Sequence, residues 1–343
     1  MLKKVKKQWI EQGFIDEPVA DDIDLKAEIR RLCEEKRAII LAHYYTIGDI
    51  QDIADFVGDS LALARKAAET NAKVMVMCGV HFMAETCKLL SPDKIVLCPD
   101  LNAGCSLADS CNAEDLRKYK EEHPGYQVVS YVNTTAAVKA LTDVVVTSGN
   151  AKKVVDQLPK DAKLIFGPDY NLGNYINEVT GREMLLWNGG CHVHERFSVS
   201  MIVELKKQYP DAIVMAHLEC KGPVLALADV KGSTATMLNY AQKSDKKQFI
   251  VATEAGILHE MQRTCPDKEF IPVPPEISER LRVGEQSSGM SGLECSCNEC
   301  QYMKMNTLLK IYNCLKYEWP SVEVDPLIAK DAVKPIERML ELS

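Results

Sequence analysis

The feature that most constrains this chain is an internal threefold repeat, in which three segments share one layout. They read IILAHYYTIGDIQDIADF from Ile39, VVSYVNTTAAVKALTDVV from Val128 and IVMAHLECKGPVLALADV from Ile213. Each begins with an apolar run that is typical of a buried strand and continues into a helical stretch. The pattern predicts three copies of one folding unit.

Polar residues occupy matching positions in the three segments. The apolar run ends at a polar ring, His43, Tyr131 or His217, and two positions later stands Tyr45, Asn133 or Glu219. An aspartate follows, Asp55, Asp143 or Asp229, and then a serine that opens a predicted helix, Ser60, Ser148 or Ser233. Because ligands of parallel sheets sit beyond the carboxyl ends of the strands, we expect these side chains to point at one place.

Each repeat continues through two more apolar strands, separated by helices, and then reaches a cysteine. These cysteines are Cys105 in LNAGCSLAD, Cys191 in NGGCHVHE and the group Cys295, Cys297 and Cys300 in ECSCNECQYM. The third repeat carries an insertion with many Gly and Ser residues before its cysteines, which is typical of a loop.

The alternation of strands and helices predicts an α/β fold of three homologous α/β/α repeats with parallel sheets about a pseudo-threefold axis, and an active site in the central funnel. The predicted boundaries are 1–24 for an N-terminal helical segment, 25–110, 111–195 and 196–292 for the repeats, and 293–343 for the third cysteine and C-terminal helices that pack back on the first repeat.

Thirteen cysteines are many for a chain expected to be cytoplasmic, where metal or catalytic roles are commoner than disulfides. Cys78 and Cys98 lie in apolar strand-like runs and are predicted to be core residues. One thiolate from each repeat would form a triangle that suits an iron–sulfur cluster with one open iron acting as a Lewis acid. The run from Cys295 to Cys300 leaves a zinc site open as an alternative, although a second pair of cysteines is not nearby.

The serines at the predicted helix starts have two interpretations. Serine is a favoured N-cap, and a helix N-terminus also attracts anions through its free N–H groups and its dipole. Three such sites in one pocket would suit a substrate with several carboxylates or a phosphate. Glu219 is a candidate base beside His217, and His192, next to Cys191, is favoured over His194 as a site residue.

The net charge of −8 argues against a general nucleic-acid binder. The basic N-terminus lacks the apolar core of a signal peptide, and no later segment has the roughly 18 apolar residues of a membrane span. We therefore expect a cytoplasmic protein that acts on small molecules.

The motifs together resemble the quinolinate synthase family, the A protein of bacterial NAD biosynthesis, over nearly the whole chain. They include AHYYT at 42–46, GDSL at 58–61, SYVNT at 130–134, VTSGNA at 146–151, CHVHE at 191–195, GST at 232–234 and C-x-x-M-x-M-N at 300–306. The resemblance implies a [4Fe-4S] cluster held by three cysteines, and the condensation of iminoaspartate with dihydroxyacetone phosphate to quinolinate, with loss of phosphate and two waters. An aspartate oxidase or dehydrogenase would supply the iminoaspartate.

The resemblance also implies roles for individual residues. The cluster ligands are Cys105, Cys191 and Cys300, and the proton-transfer and polarising groups are Tyr45, Tyr131, His217 and Glu219. The substrate contacts are His43, Ser60, Tyr131, Val132, Asn133, Ser148, His192, His217, Leu218, Glu219, Ser233 and Thr234. Phe82 and Met303 are expected to close the cavity. We hypothesise that Cys295 and Cys297 form a reversible disulfide.

Two other functions stay open at this point. One is a zinc-stabilised binding protein without catalysis, and the other is a cluster-dependent hydro-lyase that acts on another hydroxy acid. Iron and sulfide analysis separates the first from an iron–sulfur enzyme, and product analysis separates the second.

Overall fold

The computed structural model of the chain describes residues 5–275 and 298–343. Within these residues the strands form three parallel sheets, each with four strands. All three sheets have the same order, with the second strand of the repeat at one edge, followed by the first, the third and the fourth. The prediction of an α/β fold built from three repeats is therefore confirmed.

The N-terminal segment and the first repeat contain six helices and four strands among the described residues. They are α1 Lys7–Gln12, α2 Leu25–Lys36, β1 Ala38–His43, α3 Gly48–Ile53, β2 Phe56–Gly58, α4 Ser60–Glu69, β3 Val74–Cys78, α5 His81–Leu90, β4 Ile95–Leu97 and α6 Ser106–Ser110.

The second repeat follows the same order. Its elements are α7 Ala113–Glu122, β5 Gln127–Tyr131, α8 Ala136–Lys139, β6 Val144–Val146, α9 Ala151–Gln157, β7 Leu164–Gly167, α10 Tyr170–Thr180 and β8 Leu185–Leu186, and a short 3₁₀ turn covers His194–Arg196.

The third repeat and the C-terminal part complete the described chain. Their elements are α11 Val199–Gln208, β9 Ile213–His217, α12 Gly222–Ala226, β10 Val230–Gly232, α13 Thr234–Lys243, β11 Gln248–Ala252, α14 Ile257–Thr264, β12 Glu269–Pro272, α15 Gln301–Lys304, α16 Leu308–Tyr317 and α17 Pro326–Leu342.

The sequence analysis missed one short strand in each repeat. The edge strands β2, β6 and β10 span three residues each and pair with the first strand of their repeat. A run of three residues is too short to show the alternation by which a strand is detected in sequence.

The repeated aspartates fasten these edge strands. In each repeat one carboxylate oxygen accepts a hydrogen bond from a backbone N–H of the first strand. The pairs are Asp55 with Ile40 (2.7 Å), Asp143 with Val128 (2.7 Å) and Asp229 with Val214 (2.8 Å). The aspartate of the repeat is thus a structural residue that fixes the turn leading into the edge strand.

The core runs along the sheets and from one repeat into the next. Met77 of β3 and Phe166 of β7 belong to one buried cluster, and Tyr44 of the first repeat joins a cluster with Phe249 of β11. Cys78 and Cys98 are fully buried, as predicted for core residues. Adjacent repeats therefore share hydrophobic core, which holds their strand ends in fixed relation.

The C-terminal helices lie against two repeats. The prediction places them on the first repeat, and α16 does pack against α2. The last helix, α17, differs, because it packs mainly against α8 and β6 of the second repeat. Ala332, Ile336 and Met339 form the buried face of α17, and this apolar surface finds its partner beside β6.

Among the described residues, no helix combines the length and the apolar character that crossing a lipid bilayer requires.

Candidate active site

The carboxyl ends of the first strands of all three repeats open onto one cavity of about 690 Å³, its mouth included. Its wall includes, from equivalent positions of each repeat, a cysteine, a ring and a hydroxyl residue. The cysteines are Cys105, Cys191 and Cys300, the rings are His43, Tyr131 and His217, and the hydroxyls are Ser60, Ser148 and Thr234.

The three cysteines occupy equivalent positions in the fold. In each repeat, the backbone carbonyl two residues before the cysteine accepts a hydrogen bond from a backbone N–H. The donor N–H lies between the end of the third strand and the first residue of the helix that follows this strand. These bonds run from His81 to Ala103 (2.7 Å), from Tyr170 to Gly189 (2.8 Å) and from Ala255 to Asn298 (3.1 Å). We call them the cysteine clamps. Cys300 therefore matches Cys105 and Cys191 in position, whereas Cys295 and Cys297 lie outside the described residues.

The thiols are held in an apolar setting. Burial raises the pKa of Cys105 to about 12, the pKa of Cys300 to about 11 and the pKa of Cys191 well above its ordinary value. Backbone N–H groups of nearby residues oppose this rise in pKa, such as that of Ala108 at Cys105 and that of Met303 at Cys300. Three soft donors facing one space, each with amide hydrogens nearby, fit an iron–sulfur cluster, whose positive charge would replace the thiol protons.

A mixed set of donors lies next to the cysteines. The sulfur of Cys191, a ring nitrogen of His194 and a carboxylate oxygen of Glu219 all lie within 4.8 Å of one another. This part of the cavity is therefore a candidate metal site.

The two histidines at strand ends share one local geometry. Nδ1 of His43 accepts the backbone N–H of Tyr45 at 3.2 Å, and Nδ1 of His217 accepts that of Glu219 at 3.3 Å. The ring proton is therefore on Nε2 in both. Burial lowers the pKa of His43 to about 3 and the pKa of His217 to about 4, so both rings are neutral at pH 7.

Glu219 is at the centre of a buried polar network. The Tyr131 hydroxyl donates to its Oε1 at 2.5 Å, and Nδ1 of His194 lies 3.0 Å from its Oε2. Burial opposes ionisation of Glu219, but the neighbouring His194 ring and the Tyr131 hydroxyl hold the pKa of its carboxyl below the usual value. Burial and the negative charge of Glu219 raise the pKa of Tyr131 well above 10, so the tyrosine keeps its proton.

The strand register changes which hydroxyl residue of the third repeat is equivalent to Ser60 and Ser148. His43, Tyr131 and His217 pair with Gly58, Val146 and Gly232 in the sheets. Two residues beyond these partners stand Ser60, Ser148 and Thr234, so Thr234 is the equivalent of the two serines. Ser233 instead caps α13, as Asp59 caps α4. The sequence analysis named both residues as substrate contacts but aligned Ser233 with the two serines, because residue types were compared without the strand register.

Ser148 also differs from its prediction as a helix opener. Asn150 accepts the backbone N–H of Thr147 at 2.6 Å, and the resulting turn delays the start of α9 until Ala151. Ser148 therefore lies in a turn before the helix, but it still lines the cavity, as predicted.

The structure brings most of the predicted site residues to the cavity. Its wall includes Tyr45, Asn133, His192, Glu219, Phe82 and Met303 in addition to the residues named above. Val132, Leu218 and Ser233 are buried, and among the described residues they do not line this cavity. Nε2 of His192 and Oδ1 of Asn133 are buried without a hydrogen-bond partner among the described residues, so both are available to a ligand.

Sequence reasoning underrated His194. This ring is fully buried, stacks on His217 with centroids 4.7 Å apart, and places Nε2 2.9 Å from the hydroxyl of Thr253. The 3₁₀ turn His194–Arg196 directs it inward, and adjacency to Cys191 in sequence did not reveal this. The spacing Cys191-x-x-His194, which puts both on one side of a turn, is the signal that was present.

Glu254 and Lys304 were also missed. Glu254 lines the cavity with no exposed surface, and Lys304 lies 2.9 Å from its carboxylate. The position of Glu254 just beyond the third strand of its repeat, at the edge where the other site residues gather, was the available signal.

Comparison with known proteins identifies the family of this chain. The family model described as Quinolinate synthetase A protein matches residues 27–341. A quinolinate synthase from Rippkaea orientalis is 51% identical over 334 residues, which cover 97% of this chain and 98% of the relative. Those from Nostoc punctiforme and Chloroherpeton thalassium are 52% and 51% identical over 321 residues, or 94% of this chain and 94% and 95% of the relatives. The resemblance found in the sequence is confirmed: the chain belongs to the Quinolinate synthetase A protein family.

Proposed function

We propose that this protein is a quinolinate synthase that condenses iminoaspartate with dihydroxyacetone phosphate and releases phosphate and two waters. The observation that carries the proposal is the meeting of three equivalent cysteines and three equivalent hydroxyl residues, one of each per repeat, in a single cavity. The family relatives, which match almost the whole chain, are named quinolinate synthase.

Cys105, Cys191 and Cys300 would hold a [4Fe-4S] cluster with one iron free of protein ligands. When bound, such a cluster supplies Lewis-acid chemistry that polarises a substrate oxygen. The cysteine clamps support this assignment, because they place each thiol at the same point of its repeat.

The hydroxyl residues and the neutral histidines would bind the anionic groups of the substrates. Ser60 and Thr234 stand at the first turns of α4 and α13, where free N–H groups and the helix dipole favour phosphate or carboxylate oxygens. His43 and His217 carry their protons on Nε2 and therefore act as donors to carboxylate oxygens. Among the described residues no Lys or Arg lines the cavity, so anion binding there depends on neutral donors.

The pair of Tyr131 and Glu219 suits proton transfer. Glu219 is the acceptor, since its carboxyl is ionised, and Tyr131 holds a proton directed at it over 2.5 Å. Tyr45, whose hydroxyl lies 2.8 Å from that of Thr253, presents a second phenol to the same space. Abstraction of a proton next to a carbonyl and return of a proton to a leaving hydroxyl both need such paired groups.

Apolar side chains would exclude water from the reacting atoms. Phe82 and Met303 are 3% and 5% exposed and stand on the cavity wall beside the cysteines. A dry wall strengthens each of the polar contacts described above.

A direct assay tests the proposal. Anaerobically purified protein is incubated with iminoaspartate and dihydroxyacetone phosphate, and pyridine-2,3-dicarboxylate is measured by chromatography with mass detection. Formation of this product in proportion to enzyme supports the proposal, and iron-loaded protein that forms none rejects it. Iron and sulfide analysis of the same sample distinguishes a cluster from a single metal ion at Cys191, His194 and Glu219.

A further inference from the structure

The third cysteine is held by a side chain that has no counterpart in the first repeat. Cys78, Gly167 and Ala252 are equivalent by their pairing with the first strands. Two residues beyond them stand Val80, Asp169 and Glu254, directly before the N–H groups of the cysteine clamps. The three repeats therefore share the clamp, but the residue directly before the donor N–H is apolar in the first repeat, an aspartate in the second and a glutamate in the third.

Only the glutamate reaches its cysteine through a contact that the structure shows among the described residues. Oε1 of Glu254 accepts the backbone N–H of Cys300 at 3.0 Å, and Oε2 accepts the N–H of Gly256 at 2.7 Å. Asp169 uses Oδ1 to cap α10 through the N–H of Leu172, at 2.7 Å. The Val80 side chain has no polar atom. Among the residues that the structure describes, Glu254 alone thus joins the end of a third strand to the backbone of a cysteine.

Lys304 completes the arrangement. Its Nζ lies 2.9 Å from Oε1 of Glu254 and donates to the backbone carbonyl of Tyr45 at 2.8 Å. Cys300 is the N-cap of α15, and Lys304 is the last residue of that one-turn helix. Glu254 therefore contacts both ends of the turn that carries the thiol, and Lys304 ties the turn to the first repeat.

The connections between the strands and the cysteines explain why the third repeat needs this support. Cys105 stands eight residues after the end of β4 and Cys191 five residues after the end of β8, so each is close in sequence to a strand of its own sheet. Cys300 follows β12 only after a much longer stretch of chain. The position of Cys300 must therefore be fixed by contacts with other elements, such as those of Glu254.

We infer that Glu254 is a positioning residue for Cys300, which sets the direction of the third thiol through the backbone of its turn, with Lys304 as its charge partner. The inference rests on the cluster of the proposed function but not on the proposed reaction. Residues that orient metal ligands typically change metal affinity by about 10- to 100-fold when they are removed.

Two measurements test this role. In the first, anaerobically reconstituted wild type and Glu254→Ala are mixed with an iron chelator, and we expect the variant to release iron at least about tenfold faster. In the second, metal-free protein is treated with iodoacetamide, and alkylation of each cysteine is followed by peptide mass spectrometry. We expect Cys300 to react faster in Glu254→Ala while Cys105 and Cys191 react as in wild type.

The choice of variants separates positioning from general loss of structure. Glu254→Gln keeps an oxygen that can accept the Cys300 N–H, so both of its rates should fall between those of wild type and Glu254→Ala. Glu260→Gln is the matched control, since Glu260 is a buried acid of the same repeat that pairs with Arg263. Its rates should equal those of wild type.

Each remaining outcome overturns the inference. If Glu254→Ala releases iron and reacts at Cys300 as wild type does, Glu254 does not position the thiol. If all three cysteines become equally reactive, the residue only stabilises the fold. Wild type that takes up no iron under anaerobic reconstitution would reject the proposed cluster and this inference together, whereas iron-loaded wild type with an unaltered variant rejects the inference alone.

Discussion

The first and third repeats present similar side chains to the cavity but support them with different residues. Each offers a histidine at the end of its first strand and a cysteine held by a clamp. Behind the strand end of the first repeat, Gln51 donates to the carbonyls of Tyr44 and Thr46, both at 2.9 Å. The equivalent position of the third repeat is the apolar Leu225, and the polar support there is Glu254 behind the cysteine.

In the second repeat, too, the residue behind the strand end differs, although the residues on the cavity wall are equivalent. At the position of Gln51 it has Lys139, a fully buried lysine whose ammonium group donates to the carbonyls of Val132 and Thr134. The side chains on the cavity wall must all fit the same ligand, whereas Gln51, Lys139 and Glu254 each stabilise only the backbone near them. Substitutions at equivalent positions therefore test which residues act alike and which do not.

The largest effect is expected at the cysteines, where the repeats should behave alike. Cys105→Ala, Cys191→Ala and Cys300→Ala should each abolish retention of iron, because a cluster with a missing thiolate is not held. Iron and sulfide per chain are measured after anaerobic purification. Cys78→Ala, which changes a buried core cysteine of the first repeat, should keep its iron. Full iron content in Cys300→Ala would show that another cysteine, and not Cys300, is the third ligand.

The residues two positions beyond the rings should behave differently from one another. Glu219→Gln removes the proton acceptor of the Tyr131 pair and should lower kcat by about 10²- to 10⁴-fold. Asn133→Ala removes a buried carbonyl that has no partner among the described residues, and should mainly raise KM. Steady-state kinetics separate the two cases. A normal kcat in Glu219→Gln would exclude the residue from proton transfer.

The supports behind the strand ends should differ in their pH dependence. Burial lowers the pKa of Lys139 from 10.5 to about 8, although Glu85 and Cys105 oppose this. Between these two pH values the unfolded chain binds a proton at Lys139 that the folded chain does not, so this residue's contribution to stability rises with pH. Wild type should gain up to about 3 kcal/mol relative to Lys139→Met over that window, measured by urea unfolding. The difference in unfolding free energy between wild type and Gln51→Met should not change with pH over that window, because both proteins contain Lys139. A difference that changes with pH as much as the one between wild type and Lys139→Met would contradict the assignment to Lys139.

The smallest effect is expected at the repeated aspartates. Asp55→Ala, Asp143→Ala and Asp229→Ala each leave a strand N–H without its carboxylate partner and should lower the free energy of unfolding by about 1–2 kcal/mol. Thermal or urea unfolding measures this change, with the exposed Asp161→Ala as control. Strongly unequal losses among the three variants would show that the repeats do not use this contact in the same way.

The sequence was sufficient for the parts of the site that recur in each repeat. His43, Tyr131 and His217 were predicted at strand ends, and Cys105, Cys191 and Cys300 at the ends of their repeats, and the structure brings all six to one cavity. Patterns of this kind survive in sequence because each repeat must place the same chemistry at the same point of the same fold.

Features that occur once were harder to predict. His194 enters the site through a 3₁₀ turn, and Glu254 reaches Cys300 across a long separation in sequence. Both Ser233 and Thr234 were predicted as substrate contacts, but which of them is equivalent to Ser60 and Ser148 depends on strand register, which residue types alone do not give. The packing of α17 on the second repeat depended on which apolar surface lay free beside it.

By itself, the sequence determined that this chain has three α/β units with polar strand ends and a cysteine at a matching point of each, since periodicity and repetition are local properties that each segment carries. Only the tertiary structure decided which of these side chains touch, how the third cysteine is held and which residues stand behind the wall. These depend on register and on contacts between distant segments, and such contacts form only when the repeats pack together.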